Sequence, residues 1–142
     1  MSIRKIVCGH DGSEDAARAT EFAAELAKAV GAEVLLVNAF DPLVNLGAYE
    51  PPYDFGEIRR DVVRQLESEW AEPLRRMEVA HRCELVEDTP VHALLSVAAR
   101  EEADMIVIGS RGLGALRGTL VGSVALKLPT QAHCPVTIVP RP

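Results

Sequence analysis

Cysteine is scarce in this sequence: Cys8, Cys83 and Cys134 are far apart and form no C-x-x-C pair. That spacing argues against a zinc knuckle or a dithiol redox motif. Each cysteine stands at the edge of an apolar run and reads as a small hydrophobe. Long apolar runs are missing as well. The uninterrupted ones are only a few residues long, so no stretch spans a bilayer as a helix. The opening Met1-Ser2-Ile3-Arg4-Lys5-Ile6-Val7 lacks the apolar segment and small-residue cleavage site of a secretory signal, and the expected location is cytoplasmic. Positive charge is in deficit, with 15 Lys and Arg against 21 Asp and Glu and a formal net charge of −6. That balance argues against broad nucleic-acid binding, which needs a basic face. It leaves a nucleotide ligand open, because backbone N–H groups hold phosphate without net positive charge. No internal repeat or low-complexity segment appears. His81, His92 and His133 are scattered without metal-ligand spacing.

What is present is a soluble composition, 48% apolar and 25% charged over 142 residues. That is enough to bury a real core and fits one domain over residues 1–142. Five apolar runs read as strands: Ile3 to Cys8, Glu33 to Phe40, a weak one from Cys83 to Val86, Met105 to Ile108, and Val136 to Val139. All but the third are continuously apolar, the pattern of strands covered on both faces. Helical patterns separate them. Ser13 is positioned to cap a helix through Val30, with Phe22, Ala23, Leu26, Ala27 and Val30 as its apolar stripe and Gly31 as its stop. A second helix, from near Glu57, carries Ile58, Val62, Leu66, Trp70, Leu74 and Met77 at helical spacing, with a kink expected at Pro73. Thr89-Pro90 opens a third, through about Glu101. Gly122-Ser123 opens a fourth, which Pro129 is expected to shorten or bend. Asp41 to Gly56, with three prolines and two glycines, reads as a long mobile loop. This β-α alternation predicts a three-layer, doubly wound α/β fold with a mainly parallel sheet and right-handed crossovers.

Glycine is unevenly spread. Five of the ten glycines, Gly109, Gly112, Gly114, Gly118 and Gly122, lie between the end of the fourth strand and the start of the fourth helix. Glycine permits positive φ and carries no Cβ, so successive N–H groups can converge on a phosphate. The first turn of the following helix adds unpaired N–H groups and the positive end of its dipole. Ser123 adds a hydroxyl there, and Arg111 and Arg117 add mobile positive charge. A plain flexible surface loop is the competing reading. No Gly-Lys-Ser/Thr occurs, and a G-x-G-x-x-G beginning at Gly112 fails because position 117 is arginine.

Gly109-Ser110-Arg111-Gly112, nine further residues and Gly122-Ser123 make a complete G-x2-G-x9-G-S pattern, which resembles the ATP-binding members of the universal stress protein family. The likeness extends to the opening Ile6-Val7-Cys8-Gly9-His10-Asp11-Gly12-Ser13, to Ala103-Asp104 leading into the fourth strand, and to the closing Cys134-Pro135-Val136. The resemblance implies strand order 3-2-1-4-5 in an adenine nucleotide alpha hydrolase-like fold. It implies ATP, with Mg²⁺ among its phosphates, bound across strands 1, 2 and 4. Asp11 beside Gly9 matches the acid that helps hold the nucleoside, and Ala39 the position whose backbone meets the adenine. Gly109 and Gly112 would border ribose and phosphates, and Gly122, Ser123 and Val124 would hold the phosphates. Arg111 belongs to the same set. Asp11 also has a second possible role, capping the first helix with Glu14 three residues on.

The function expected from this resemblance is that of an ATP-binding regulatory protein of the stress response. Nucleotide would order the glycine loop and the Asp41–Gly56 loop for a partner or a second subunit to read. A homodimer through the edge strand Val136-Thr137-Ile138-Val139 goes with it. The alternative is a slow ATP hydrolase, which needs a group to orient water; His10, Asp11 and Arg111 are the candidates. No catalytic pair and no metal-ligand set stands out. His10, in a loop and without a paired nucleophile, is expected to be exposed, and Trp70 and Met77 to be core or interface residues. A flavin-binding electron carrier ranks below both, since the loop after strand 1 is short and contains an acid.

Overall fold

The computed structural model describes residues 2–41, 49–112 and 122–142. In chain order the elements are β1 Lys5–Gly9, α1 Glu14–Val30, β2 Glu33–Ala39, α2 Phe55–Glu67, α3 Glu72–Arg76, β3 His81–Val86, α4 Pro90–Arg100, β4 Met105–Gly109, α5 Ser123–Gln131 and β5 Val136–Val139. The strands form one parallel sheet, as the β-α alternation predicts, in the order β3-β2-β1-β4-β5 that the resemblance implies. β1 is central, with Val7 opposite Leu35 on one side and Ile106 on the other.

Successive strand residues face opposite ways, and the core is split accordingly. Ile6, Cys8, Val34 and Leu36 pack under α1, Leu66 of α2 and Leu74 of α3. Val7, Leu35, Val37, Ile106 and Ile108 pack under Leu94 and Val97 of α4 and Ala125 and Leu128 of α5. Among the described residues no helix is long and apolar enough to cross a membrane.

The helices start and stop close to their sequence signals, with three differences. Ser13 Oγ accepts the N–H of Ala16 at 3.1 Å and caps α1, and Gly31, at φ 75°, closes it with an N–H bond to Ala27 O. The buried face of α1 matches the expected stripe only in part: Ala23 and Ala27 are buried and Leu26 packs against the core. Phe22 and Val30 are exposed, and the face on the sheet is Ala16, Ala19, Ala23, Ala24 and Ala27. Small side chains along this face let helix and sheet approach closely. The second helical pattern is two helices rather than one kinked helix. Pro73 has no N–H and would crowd the carbonyl of Glu69, so the chain breaks over 68–71 and Pro73 falls in the first turn of α3. Pro129 does not shorten α5, which continues through it to Gln131. Residues 42–48 of the expected mobile loop, and Gly114, Arg117 and Gly118, lie outside the described residues.

Candidate functional site

Parallel strands all end on the same side, and between β1 and β4 the direction of strand succession reverses. The helices that follow those two strands leave toward opposite faces, which opens a crevice at the strands' carboxyl ends. A cavity of about 270 Å³ occupies that position, near the lower end of small-molecule clefts, about 300–1,000 Å³. The ends of β1, β2 and β4 and the starts of α1, α4 and α5 meet there. The lining includes all nine residues assigned on the family resemblance: Gly9, Asp11, Ala39, Gly109, Arg111, Gly112, Gly122, Ser123 and Val124. Val37, Leu94, Ile108 and Ala125 complete an apolar wall continuous with the core under α4 and α5. Pro90 and Leu94 escaped sequence reading. Their only signal was topological, since Thr89-Pro90 starts a helix at the same end of the sheet.

The glycines serve close approach rather than unusual torsion. Among the described glycines only Gly12 and Gly31 have positive φ. A Cβ on Gly109 would lie 2.7 Å from the backbone oxygen of Asp15, and one on Gly112 would lie 2.3 Å from Asp11 Oδ2. A Cβ on Gly122 would stand 3.3 Å from Arg111 Cα. Gly122 sits in extended backbone at φ −82°, ψ 169° as the N-cap of α5. Its N–H donates to Ser110 O at 2.6 Å, closing the two ends of the glycine segment onto each other. Having no side chain, Gly122 gives α5 no capping oxygen, whereas Ser13 supplies one to α1. The first-turn N–H groups of α5, at Ser123, Val124 and Ala125, therefore stand at the cavity edge with the positive end of the helix dipole.

Asp11 does not cap α1. Its Oδ1 accepts the N–H of Ser13 at 3.0 Å in a local turn, and Ser13 is the cap. His10 departs furthest from expectation, being 5% exposed instead of open to solvent. Its ring lies flat on the indole of Trp70, with centroids 4.5 Å apart and 9° between planes. Nδ1 accepts the N–H of Gly12 at 3.0 Å, and the backbone oxygen accepts Asn38 Nδ2 at 2.9 Å. Burial lowers the His10 pKa to about 4, against a smaller opposing pull from Asp11. The ring is therefore neutral at ordinary pH. With Nδ1 accepting, the proton is on Nε2.

Behind the cavity, in the first turn of α1, the side chain of Asp15 is 1% exposed. Its Oδ2 accepts the backbone N–H of Arg111 at 3.0 Å and the hydroxyl of Ser110 at 3.3 Å. Its Oδ1 accepts Arg141 Nε at 2.9 Å and pairs with Arg18. The sequence offered no sign of this junction, because its members are spread from position 15 to position 141.

Among the described residues no group of three or more His, Cys, Asp or Glu side chains is arranged to hold a metal ion. The three thiols are free, and burial raises that of Cys8 to about 12, consistent with its packing role.

Comparison with known proteins gives these geometric features a family context. The universal stress protein family model matches residues 2–140. A universal stress protein of Thermus aquaticus is 36% identical over 139 residues, covering 96% of this chain and 98% of its own. One of Methanocaldococcus jannaschii is 32% identical, covering 98% and 83%. Among solved structures, a universal stress protein in complex with cAMP superposes with a TM-score of 0.76 at 24% identity, covering 98% of each chain. One from Archaeoglobus fulgidus in complex with dAMP gives 0.68 at 24% identity, covering 96% of each.

Proposed function

The chain belongs to the universal stress protein family, and on that premise we propose that it binds an adenine nucleotide in the cavity at the top of β1, β2 and β4. The observation that carries this reading is the convergence of an apolar wall and an uncapped helix N-terminus on one cavity. Val37, Ala39, Leu94 and Ile108 suit the face of a base, and the β2 backbone at Ala39 offers hydrogen bonds to its edge. Asp11 and Gly9 suit a ribose. The N–H groups of Ser123 and Val124, with the Ser123 hydroxyl, suit phosphate oxygens. Two structural relatives hold cAMP and dAMP, which supports an adenosine moiety as the shared ligand chemistry.

ATP is the ligand we assign, with Mg²⁺ carried among its phosphates. The nucleotide acts as a switch: it favours one arrangement of the segments around the cavity, and a partner or a second subunit reads that arrangement. β5 is an edge strand, and its Val136–Val139 edge is the surface we assign to a homodimer. His10 is a poor general base, since its ring is stacked on Trp70 and its Nδ1 is engaged by Gly12. A binding protein is therefore favoured over a hydrolase.

The test is calorimetry of the full chain with ATP and AMP, beside Gly122→Glu. Saturable binding is expected, and it should weaken at least ~tenfold when a carboxylate is placed at the helix N-terminus. A folded wild-type protein that gives no saturation with either nucleotide refutes the reading. Sedimentation of the same samples tests the dimer, and a monomer at tens of micromolar removes that part.

A further inference from the structure

We infer that Asp15 is a positioning residue through which the C-terminal tail, by way of Arg141, holds the Ser110–Gly112 segment in place for the nucleotide. The inference rests on the adenine-nucleotide reading for its ligand and on separate observations for its mechanism. The Asp15 carboxylate is almost wholly buried and hydrogen-bonds to the cavity lining at Ser110 and Arg111. One oxygen serves the glycine segment, accepting the Ser110 hydroxyl and the Arg111 N–H. The other serves cations, Arg18 in the next turn of α1 and Arg141 two residues beyond the end of β5.

Two further contacts make the junction stiff. Gly109 has no Cβ because the backbone oxygen of Asp15 occupies that space, 2.7 Å from where one would stand. β5 is tied to the same segment, with Val139 paired to Gly109 and its carbonyl accepting the N–H of Ser110 at 3.2 Å. Asp15, the tail and the start of the glycine segment thus form one cluster, and Gly122 closes onto it through Ser110 O.

A buried carboxylate with two arginines keeps its orientation better than one with a single arginine, because each guanidinium fixes a direction as well as a charge. Removing Arg141 leaves Oδ1 to Arg18 alone and frees the carboxylate to turn. The Arg111 N–H then loses a fixed acceptor. By thermodynamic reciprocity, nucleotide bound against Arg111 and Gly122 must tighten the hold on Arg141 to the same degree that Arg141 tightens the hold on nucleotide. A chain that pairs with β5 would pull on the same tail and alter affinity without touching the ligand.

The decisive variants are Arg141→Gln, on a tail residue whose side chain is 52% exposed, and Arg141→Lys as a conservative rescue. Asp15→Asn is added, with its melting curve to establish that it folds. Hydrogen exchange at the Arg111 amide, read by NMR without ligand, is expected to quicken about tenfold in Arg141→Gln and less in Arg141→Lys. ATP affinity by calorimetry is expected to fall ~three- to tenfold in the same order. In the wild type, ATP should slow exchange of the Arg141 Nε–H, which a purely structural role would not require. Arg111 exchange within twofold of wild type in Arg141→Gln overturns the inference. So does a folded Asp15→Asn that binds ATP as the wild type does. A wild type that ignores both ATP and AMP while Arg111 exchange still responds to Arg141 refutes the nucleotide reading and leaves the junction standing.

Discussion

Near the amino ends of the strands, charges pair with one another at the surface. Glu101 accepts from Arg82, Arg100 and Lys5, Arg82 reaches on to Glu33, and Arg100 to Glu84. Asp104 accepts the backbone N–H groups of Arg4 and Lys5. At the carboxyl ends the polar groups are inside. Of the buried polar residues among those described, His10, Asp15, Asn38 and Ser110 all stand there, and only Thr20 does not. The first arrangement is complete in itself, and ion pairs of this exposed kind contribute little each. The second buries polar groups at a desolvation cost and leaves a cavity and an uncapped helix beside them. The same sheet thus has one end closed by its own side chains and one end prepared for something else.

The largest effect belongs to the buried end. Gly109→Ala places a methyl group 2.7 Å from a backbone oxygen that cannot swing away. Overpacking of this kind costs about 3 kcal/mol, expected as a lower urea midpoint with an unchanged slope. If the variant melts with the wild type, the tight seating of α1 on β4 is wrong. Next in size is the pH response of His10. Its folded pKa of about 4 lies below the ordinary 6.5, so between those values the unfolded chain binds a proton that the folded chain refuses. Stability is therefore full above pH 6.5 and falls as pH drops toward 4, by about 3 kcal/mol over the window. His10→Phe, which keeps a flat ring on Trp70 and cannot titrate, should flatten that slope. A slope that persists would place the titrating group elsewhere.

Much of this was legible in the sequence because it depends on local order. The continuous apolar runs, Ser13 before the first helix, Gly31 after it, and the glycines between β4 and α5 each stand next to what they control. The nine residues assigned on the family resemblance line one cavity. What failed was non-local. Phe22 and Val30 obey helical periodicity yet face solvent, because the face α1 turns to the sheet is built mainly of alanines. His10 looked like an exposed loop residue because Trp70, sixty positions on, gives no local sign that it will cover the ring. Asp15 gave no sign in the sequence for the same reason, since Arg111 and Arg141 are far along the chain. Of the two properties that singled out the glycines, positive φ and a missing Cβ, it is the missing Cβ that Gly109, Gly112 and Gly122 use.

The smallest effect belongs to the open end, and it sharpens the contrast because its pH window is different. Hydrogen bonding from Arg82, helped by Arg100 and opposed by partial desolvation, holds the Glu101 carboxyl down to about 2. A carboxylate depressed on folding contributes above its ordinary pKa of 4.5 and loses that contribution as pH falls from there toward 2. His10 acts from 6.5 down to about 4, so one acid titration reads the two ends in succession. The pairs around Glu101 are open to ions, and at 1 M salt the Debye length is only ~3 Å. Salt should therefore erode the lower limb of the stability curve and leave the upper limb in place. Glu101→Gln should do the same, with ATP affinity unchanged within about twofold, since surface ion pairs are weakly coupled to distant sites. If Glu101→Gln moves ATP affinity as much as Arg141→Gln does, the two ends are not independent. The sheet would then transmit charge effects along its length.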